Sequence, residues 1–225
     1  MIKAIWLGLT WLLCATPSLV FAGAWPRGEG KMFVAASAEM TWPDGRALEL
    51  PDIYGATYLE YGLRPHVTMG LDIGSADITK SERLKAVGFV RYTITQGSSP
   101  YQIAVDAGVG TFSGQNVVRF GASYSKGLSI FARDAWVSLD ANTLRTTQSA
   151  QFASSIDATF GVTLKRGKII GQISAFQAFD RTRNVSFTPS FAYYLGKGRH
   201  LEIGARIGLS GKPDPALKIG IWQEF

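Results

Sequence analysis

The chain has 225 residues, a formal charge of +6 and one cysteine, Cys14. That length suits one domain, and a lone cysteine excludes a disulfide framework. The basic residues are scattered singly, several of them in turn segments (Lys126, Lys165, Arg166, Lys168, Lys197, Arg199). No basic face interleaved with aromatics forms, so nucleic acid is excluded as a partner.

The first element is a secretory signal over residues 1–22. Lys3 supplies the basic start, Ile5 to Leu13 the short apolar core, and Val20-Phe21-Ala22 the small-residue cleavage site. The mature domain is then 23–225, with Ala22-Gly23-Ala24 as a second cleavage candidate. The apolar run is too short and too poorly flanked to remain as a membrane helix. A lipoprotein signal would want a small residue before Cys14, and Leu13 is not small. Loss of Lys3 takes the charge from +6 to +5, and loss of Cys14 removes thiolate chemistry.

From there apolar residues recur with period two, and helical spacing is nearly absent. The pattern predicts twelve strands, at 31–42, 53–63, 66–76, 84–95, 100–112, 116–126, 128–139, 151–164, 168–180, 186–196, 199–210 and 216–225. Most are longer than strands of soluble proteins and long enough to cross a bilayer at a tilt. Short connections (Arg64-Pro65, Gln96 to Ser99, Lys126-Gly127, Arg166-Gly167, Lys197-Gly198) alternate with longer ones near 43–52, 77–83, 140–150, 181–185 and 211–215, with 113–115 as the exception. Outer-membrane barrels have short periplasmic turns and longer external loops. The fold class read from this is all-β: a transmembrane antiparallel β-barrel in a Gram-negative outer membrane, with both termini periplasmic. No later apolar stretch could form a spanning helix, and only a closed barrel can leave no open strand edge in lipid.

Facing follows from the carboxyl-terminal strand, Ala216 to Phe225. Leu217, Ile219, Ile221 and Phe225 share one face, and Lys218, Gly220, Trp222 and Glu224 share the other. Alternation with a terminal Phe reads as the closing strand and assembly signal, carried by Lys218, Gly220 and Phe225. Gln223 stands where such signals usually have an aromatic. With Phe225 outward, the outward sets include Met69 and Leu71, Val105 and Val109, Ile156 and Phe160, and Ile203 and Ile207, none charged. A charge there would cost about 2–4 kcal/mol at mid-membrane. Tyr61, Tyr92, Tyr101, Tyr124, Tyr193 and Phe225 form an aromatic band at the short-turn end; Trp42, Phe152, Phe179 and Phe187 form one at the other. The strand at 128–139 breaks step: Leu128, Ile130 and Ala132 point out, and so do Ala135, Val137 and Leu139. A β-bulge near Arg133-Asp134 would reconcile them and keep both charges inside. A soluble lipocalin-like barrel is the rival fold, with its apolar face turned inward.

The inward faces carry the candidate site. Arg91, Asp106, Arg119, Arg133 and Asp157 fall on successive strands, with Glu60, Asp72 and Arg206 opposite. Opposite charges on neighbouring strands can pair into a network that fills the lumen. They can also form a charged constriction that selects solutes. Inward glycines (Gly70, Gly108, Gly110, Gly161, Gly204, Gly208, Gly220) leave space for a narrow pore. Catalysis finds little support: His66 and His200 both fall at the short-turn rim, and Asp134 with Asp140 near the external half suits charge pairing better than acid chemistry. Gly108 to Gly114 matches neither common phosphate-loop spacing, Asn184-Val-Ser186 is only a formal glycosylation site, and no metal-ligand spacing occurs. No cofactor or metal is expected.

The hairpin Tyr58-Leu-Glu-Tyr-Gly-Leu-Arg-Pro-His-Val-Thr-Met-Gly-Leu-Asp-Ile-Gly74 resembles one recurring in bacterial outer-membrane transporter-like barrels, including the meta-pathway phenol-degradation family. Gly23-Ala-Trp-Pro-Arg-Gly-Glu-Gly30 resembles their mature ends. The resemblance implies passage of small hydrophobic or aromatic molecules and transfers no functional residue. The expected function is a narrow channel for small solutes, with outer-membrane lipid and the barrel assembly machinery as partners. The alternatives are a non-conducting structural or surface-interaction barrel and, less favoured, a lipid-modifying barrel enzyme.

Overall fold

A computed structural model describes residues 23–42, 50–77, 83–95, 99–211 and 214–225. Among them twelve strands form one closed antiparallel barrel. They are β1 (Met32–Thr41), β2 (Asp52–Arg64), β3 (Val67–Ser75), β4 (Leu84–Thr93), β5 (Tyr101–Phe112), β6 (Gln115–Ile130), β7 (Arg133–Thr146), β8 (Phe152–Leu164), β9 (Gly167–Gln177), β10 (Arg183–Gly196), β11 (Arg199–Ser210) and β12 (Ala216–Glu224). Each strand pairs with its chain neighbour, and β12 closes on β1 from Thr41↔Ala216 down to Phe33↔Glu224. Closure leaves no edge unpaired.

Period-two alternation sets the wall. Ile203, Ile219 and Ile221 lie on the outer surface, as do Met69, Val105, Ile156 and Ile207. Their partners in alternation, such as Glu60, Thr68, Arg91, Asp106, Arg119 and His200, are buried within the barrel. This is inside-out relative to a lipocalin-like barrel, whose apolar face would be the buried one. The tyrosine band at the short-turn end is on the outer surface, where Tyr101 and Tyr124 stack across adjacent strands at 6.2 Å.

The turn between β6 and β7 differs from the sequence reading. Lys126 and Gly127 lie inside β6, paired with Val137 and Trp136. The chain reverses at Phe131-Ala132, whose φ values are 50° and 56°. Two consecutive left-handed residues make the primed two-residue turn that matches strand twist, and Asn-Gly is its usual sequence. Phe-Ala carries no such signal, so the glycine at 127 attracted the turn instead. Ser113-Gly114 and Lys197-Gly198 make the same paired left-handed geometry with the expected glycine.

With the turn moved, β6 and β7 pair without a register shift from Val117↔Thr146 to Ile130↔Arg133. No bulge exists at Arg133-Asp134. The apparent change of step arises because a two-residue turn brings Ile130 opposite Arg133, so Leu128, Ile130, Arg133, Ala135 and Val137 all share the outer face. Phe179 is a second correction. β9 ends at Gln177, and Phe179 turns inward to meet Phe112 edge-on at 5.4 Å. The cleavage site and residues 1–22 lie outside the described residues.

Candidate functional site in the barrel lumen

The lumen contains a ladder of alternating charge built from β2 to β6, with some links spanning non-adjacent strands. Arg27, just before β1, pairs with Glu60 of β2 at 2.6 Å, and Glu60 pairs with Arg91 of β4 at 2.5 Å. Arg91 faces Asp106 of β5 at 3.9 Å, an ion pair too long for a hydrogen bond. Asp106 accepts from Arg119 Nε of β6 at 2.7 Å, and Arg119 reaches Asp72 of β3 at 3.4 Å. Lys85 of β4 completes the ladder on Asp72 at 2.6 Å. Glu60, Arg91, Asp106 and Arg119 are nearly sealed from solvent. Charges this deep persist only when paired.

An aromatic platform holds the ladder. The Phe89 ring stacks with Tyr58 at 5.9 Å, and the guanidinium carbons of Arg119 and Arg91 sit 4.3 Å and 5.3 Å from its centroid. Cations over ring faces in a desolvated site gain directly from the ring quadrupole. Phe89 lies flat because Gly70 and Gly108, on the strands either side, have no Cβ; one at Gly70 would run into the ring. Trp136 covers Gly161 in the same way. The inward glycines at 70 and 161 therefore leave no pore space. Their vacancies receive rings from the opposite partner strand.

Residues 23–27 also occupy the barrel, and 28–31 lie exposed at its short-turn rim. Ala24 is fully buried, its N–H donating to Ser125 Oγ at 2.9 Å and its carbonyl accepting from Thr93 Oγ1 at 3.2 Å. Arg91 donates to the Gly23 carbonyl at 2.9 Å, and the Arg27 amide donates to Thr68 Oγ1 at 3.2 Å. Gly30 and Lys31 bond back to Gly62 of β2. Beside this segment lies a cavity of about 460 Å³. The charged ladder lines one side, and Phe112, Leu144, Ala153 and Phe176 line another.

Most predicted residues meet here. Glu60, Asp72, Arg91, Asp106 and Arg119 are consecutive members of the ladder. Asp157 lines the same cavity and accepts from Gln172 at 3.1 Å. Arg206 stands on another part of the wall, 3.0 Å from Glu39, and Lys218 pairs with Glu202 at 2.9 Å. Arg133 does not belong: it opens β7 at the short-turn rim, exposed and on the outer face. Asp134 is at the same rim rather than in the external half, while Asp140 lies at mid-strand against the cavity. Gly220 faces inward in β12, and Phe225 is exposed, its backbone bonded to Met32. His200 is buried between Tyr194 and Trp222 at 5.2 Å from each, and His66 packs beside Tyr92.

Sequence reasoning missed Phe89, Arg27 and Asp140 as site members. Phe89 had a signal: an inward aromatic flanked across both neighbours by inward glycines. Arg27 had none, since it precedes the first periodic stretch. Among the described residues no group of three or more His, Cys, Asp or Glu is placed to hold a metal ion.

No protein-family model matches the chain, and no curated protein does. Solved structures do. The KdgM porin is similar over 86% of this chain and 99% of its own, with a TM-score of 0.59 at 10% identity. A second structure of that porin, in complex with disordered oligogalacturonate, matches over 87% and 99% at the same TM-score and 8% identity. An outer-membrane channel from Pseudomonas putida F1 matches over 92% and 100%, with a TM-score of 0.53 at 8% identity. At such identities the likeness is one of architecture: this chain has the closed twelve-stranded barrel fold seen in outer-membrane channels.

Proposed function

We propose that this protein is a narrow outer-membrane channel for small solutes, exported by a signal over residues 1–22 and inserted with both chain termini in the periplasm. One observation carries the reading: a hollow, charge-lined interior inside an apolar exterior. A barrel with that polarity dissolves in hydrocarbon and offers a polar path through it. Glu60, Asp72, Arg91, Asp106, Arg119 and Asp157 line the path, and Arg206 belongs to its far wall. The cavity also has an apolar side at Phe112, Leu144 and Phe176. That side suits the small aromatic molecules implied by the resemblance to the phenol-degradation barrels. The oligogalacturonate complex of the KdgM porin supports a polar solute instead.

A non-conducting barrel is the second reading. It is favoured by the completeness of the ion pairing and by residues 23–27 standing in the lumen. Planar-bilayer recording separates the two: purified protein gives discrete current steps under the first and silence under the second. In a conducting protein, Arg119→Glu shifts the ion preference toward cations. An unchanged preference removes Arg119 from the constriction.

A further inference from the structure

The innermost described residue of the luminal segment is Gly23, and its surroundings are built closely around it. Its φ is +92°, which favours glycine. A Cβ there would lie 2.5 Å from Ser125 Oγ, 3.0 Å from Ser138 Cβ and 3.3 Å from Asp140 Oδ2. Two features at this spot lack what chemistry would supply. Ser138 Oγ is buried without a hydrogen-bond partner among the described residues. Asp140 and Asp157 stand directly opposite each other on β7 and β8, both against the cavity. Like charges so placed destabilise a strand pair. Asp140 has a hydrogen bond from Ser123, and Asp157 has one from Gln172. Among the described residues neither has a salt bridge, because Arg91 is engaged by Glu60 and Asp106. The missing element is a cation with several hydrogens to donate, close to Gly23.

We propose that hydrolysis of the Ala22–Gly23 bond creates this cation, and that the α-ammonium of Gly23 docks on Asp140 and Ser138 to hold residues 23–27 in the lumen as a resident plug. The cleavage is the work of a signal peptidase. One water is consumed, the new carboxylate leaves on residues 1–22, and the new amine takes a proton, since α-amino groups are largely charged at neutral pH. The ammonium has three hydrogens: Asp140 and Ser138 accept from it, and it offsets the Asp140–Asp157 repulsion. Arg91 holds the Gly23 carbonyl from the other side. Export would then set the plug, because the unprocessed chain has an uncharged amide at this point.

The effect on current rests on the channel reading, whereas the docking does not, so two measurements are needed. A chain beginning at Gly23 is released from a fusion by a protease that leaves glycine first, and is refolded. Labelling of its α-amine by an amine-reactive reagent at pH 7, read on the amino-terminal peptide, should be about tenfold slower than in refolded Asp140→Asn. A chain with one extra residue before Gly23, whose amine is displaced from the site, should label as fast as Asp140→Asn and gives the comparison if that variant does not fold. Equal labelling in the free-Gly23 chain and the folded comparison overturns the docking. In bilayers, deletion of residues 23–29 should raise unitary conductance about twofold or more, and equal conductance overturns the plug. Silence of both proteins counts against the channel reading, while the labelling ratio still decides the docking.

Discussion

Ile219 lies at the centre of β12 on the outer surface, between Ala38 of β1 and Ile203 of β11. It is 43% exposed, so an arginine side chain fits there without displacing a neighbour. What the substitution costs depends on the medium outside the barrel. In water, a change at an open surface position moves stability by no more than about 0.5 kcal/mol. In hydrocarbon, arginine at mid-depth of a barrel wall costs about 2–4 kcal/mol, which lowers the folding constant by roughly 30- to 900-fold. Leu209, at the long-loop end of β11, is more open at 57% and close to the interface, and Leu209→Arg should cost about 0–1 kcal/mol. Equilibrium unfolding from lipid vesicles in guanidinium, followed by tryptophan fluorescence, measures both. A loss below about 0.5 kcal/mol for Ile219→Arg, or equal losses at the two depths, would refute a hydrocarbon-facing exterior.

The remaining predictions concern the lumen and one turn. Glu60→Gln removes the carboxylate shared by Arg27 and Arg91 and should lower stability by about 3–5 kcal/mol in the same assay; adding Arg91→Met should recover a large part of that loss. Phe89→Ala removes the platform beneath Arg119 and should cost about 3–5 kcal/mol, with a rise in unitary conductance where the ring stood. Replacing Phe131-Ala132 by Asn-Gly puts suitable residues at two left-handed positions and should stabilise the barrel by about 1–2 kcal/mol. No gain there would argue against the primed turn.

The wall was legible because it rests on a local rule. Successive side chains in a strand face opposite ways, so Ile219 and Lys218 declare their surroundings without knowledge of any other strand. A hydrocarbon exterior would then sort charges inward except near the rims, where Lys126 and Arg133 face out. The rule failed where a turn had to be located and, at Phe179, where the strand had already ended. Phe131-Ala132 adopts its conformation because β6 and β7 twist into it, and nothing in the pair of residues announces it. That single displacement moved Arg133 from the expected lumen to the outer rim, since a turn shifted along a hairpin re-pairs every residue beyond it.

The contents of the lumen answer to distances across strands, which the alternation does not encode. Inward parity correctly gathered Glu60, Asp72, Arg91, Asp106 and Arg119. Whether five such charges line an open path or bind one another depends on how far apart closure leaves them. Phe89 decides this locally. Gly70 and Gly108 let its ring lie flat, the ring carries Arg119 at 4.3 Å, and the guanidinium reaches both Asp106 and Asp72 from that height. Glycine at an inward position thus has two opposite meanings, an opening or a seat for a neighbour's ring. The test is whether the adjacent strand brings an aromatic at the same level, as Phe89 does for Gly70 and Trp136 does for Gly161. Gly220 is a third case: its cross-strand partners are Ser37 and Glu202, no ring is seated on it, and a Cβ there would press on Ala36 O and Ser37 Cβ at 3.2 and 3.3 Å. The open part of the lumen lies instead between the ladder and the β7–β9 wall, where Asp140, Asn142, Asp157 and Gln172 line the cavity and no ring is seated.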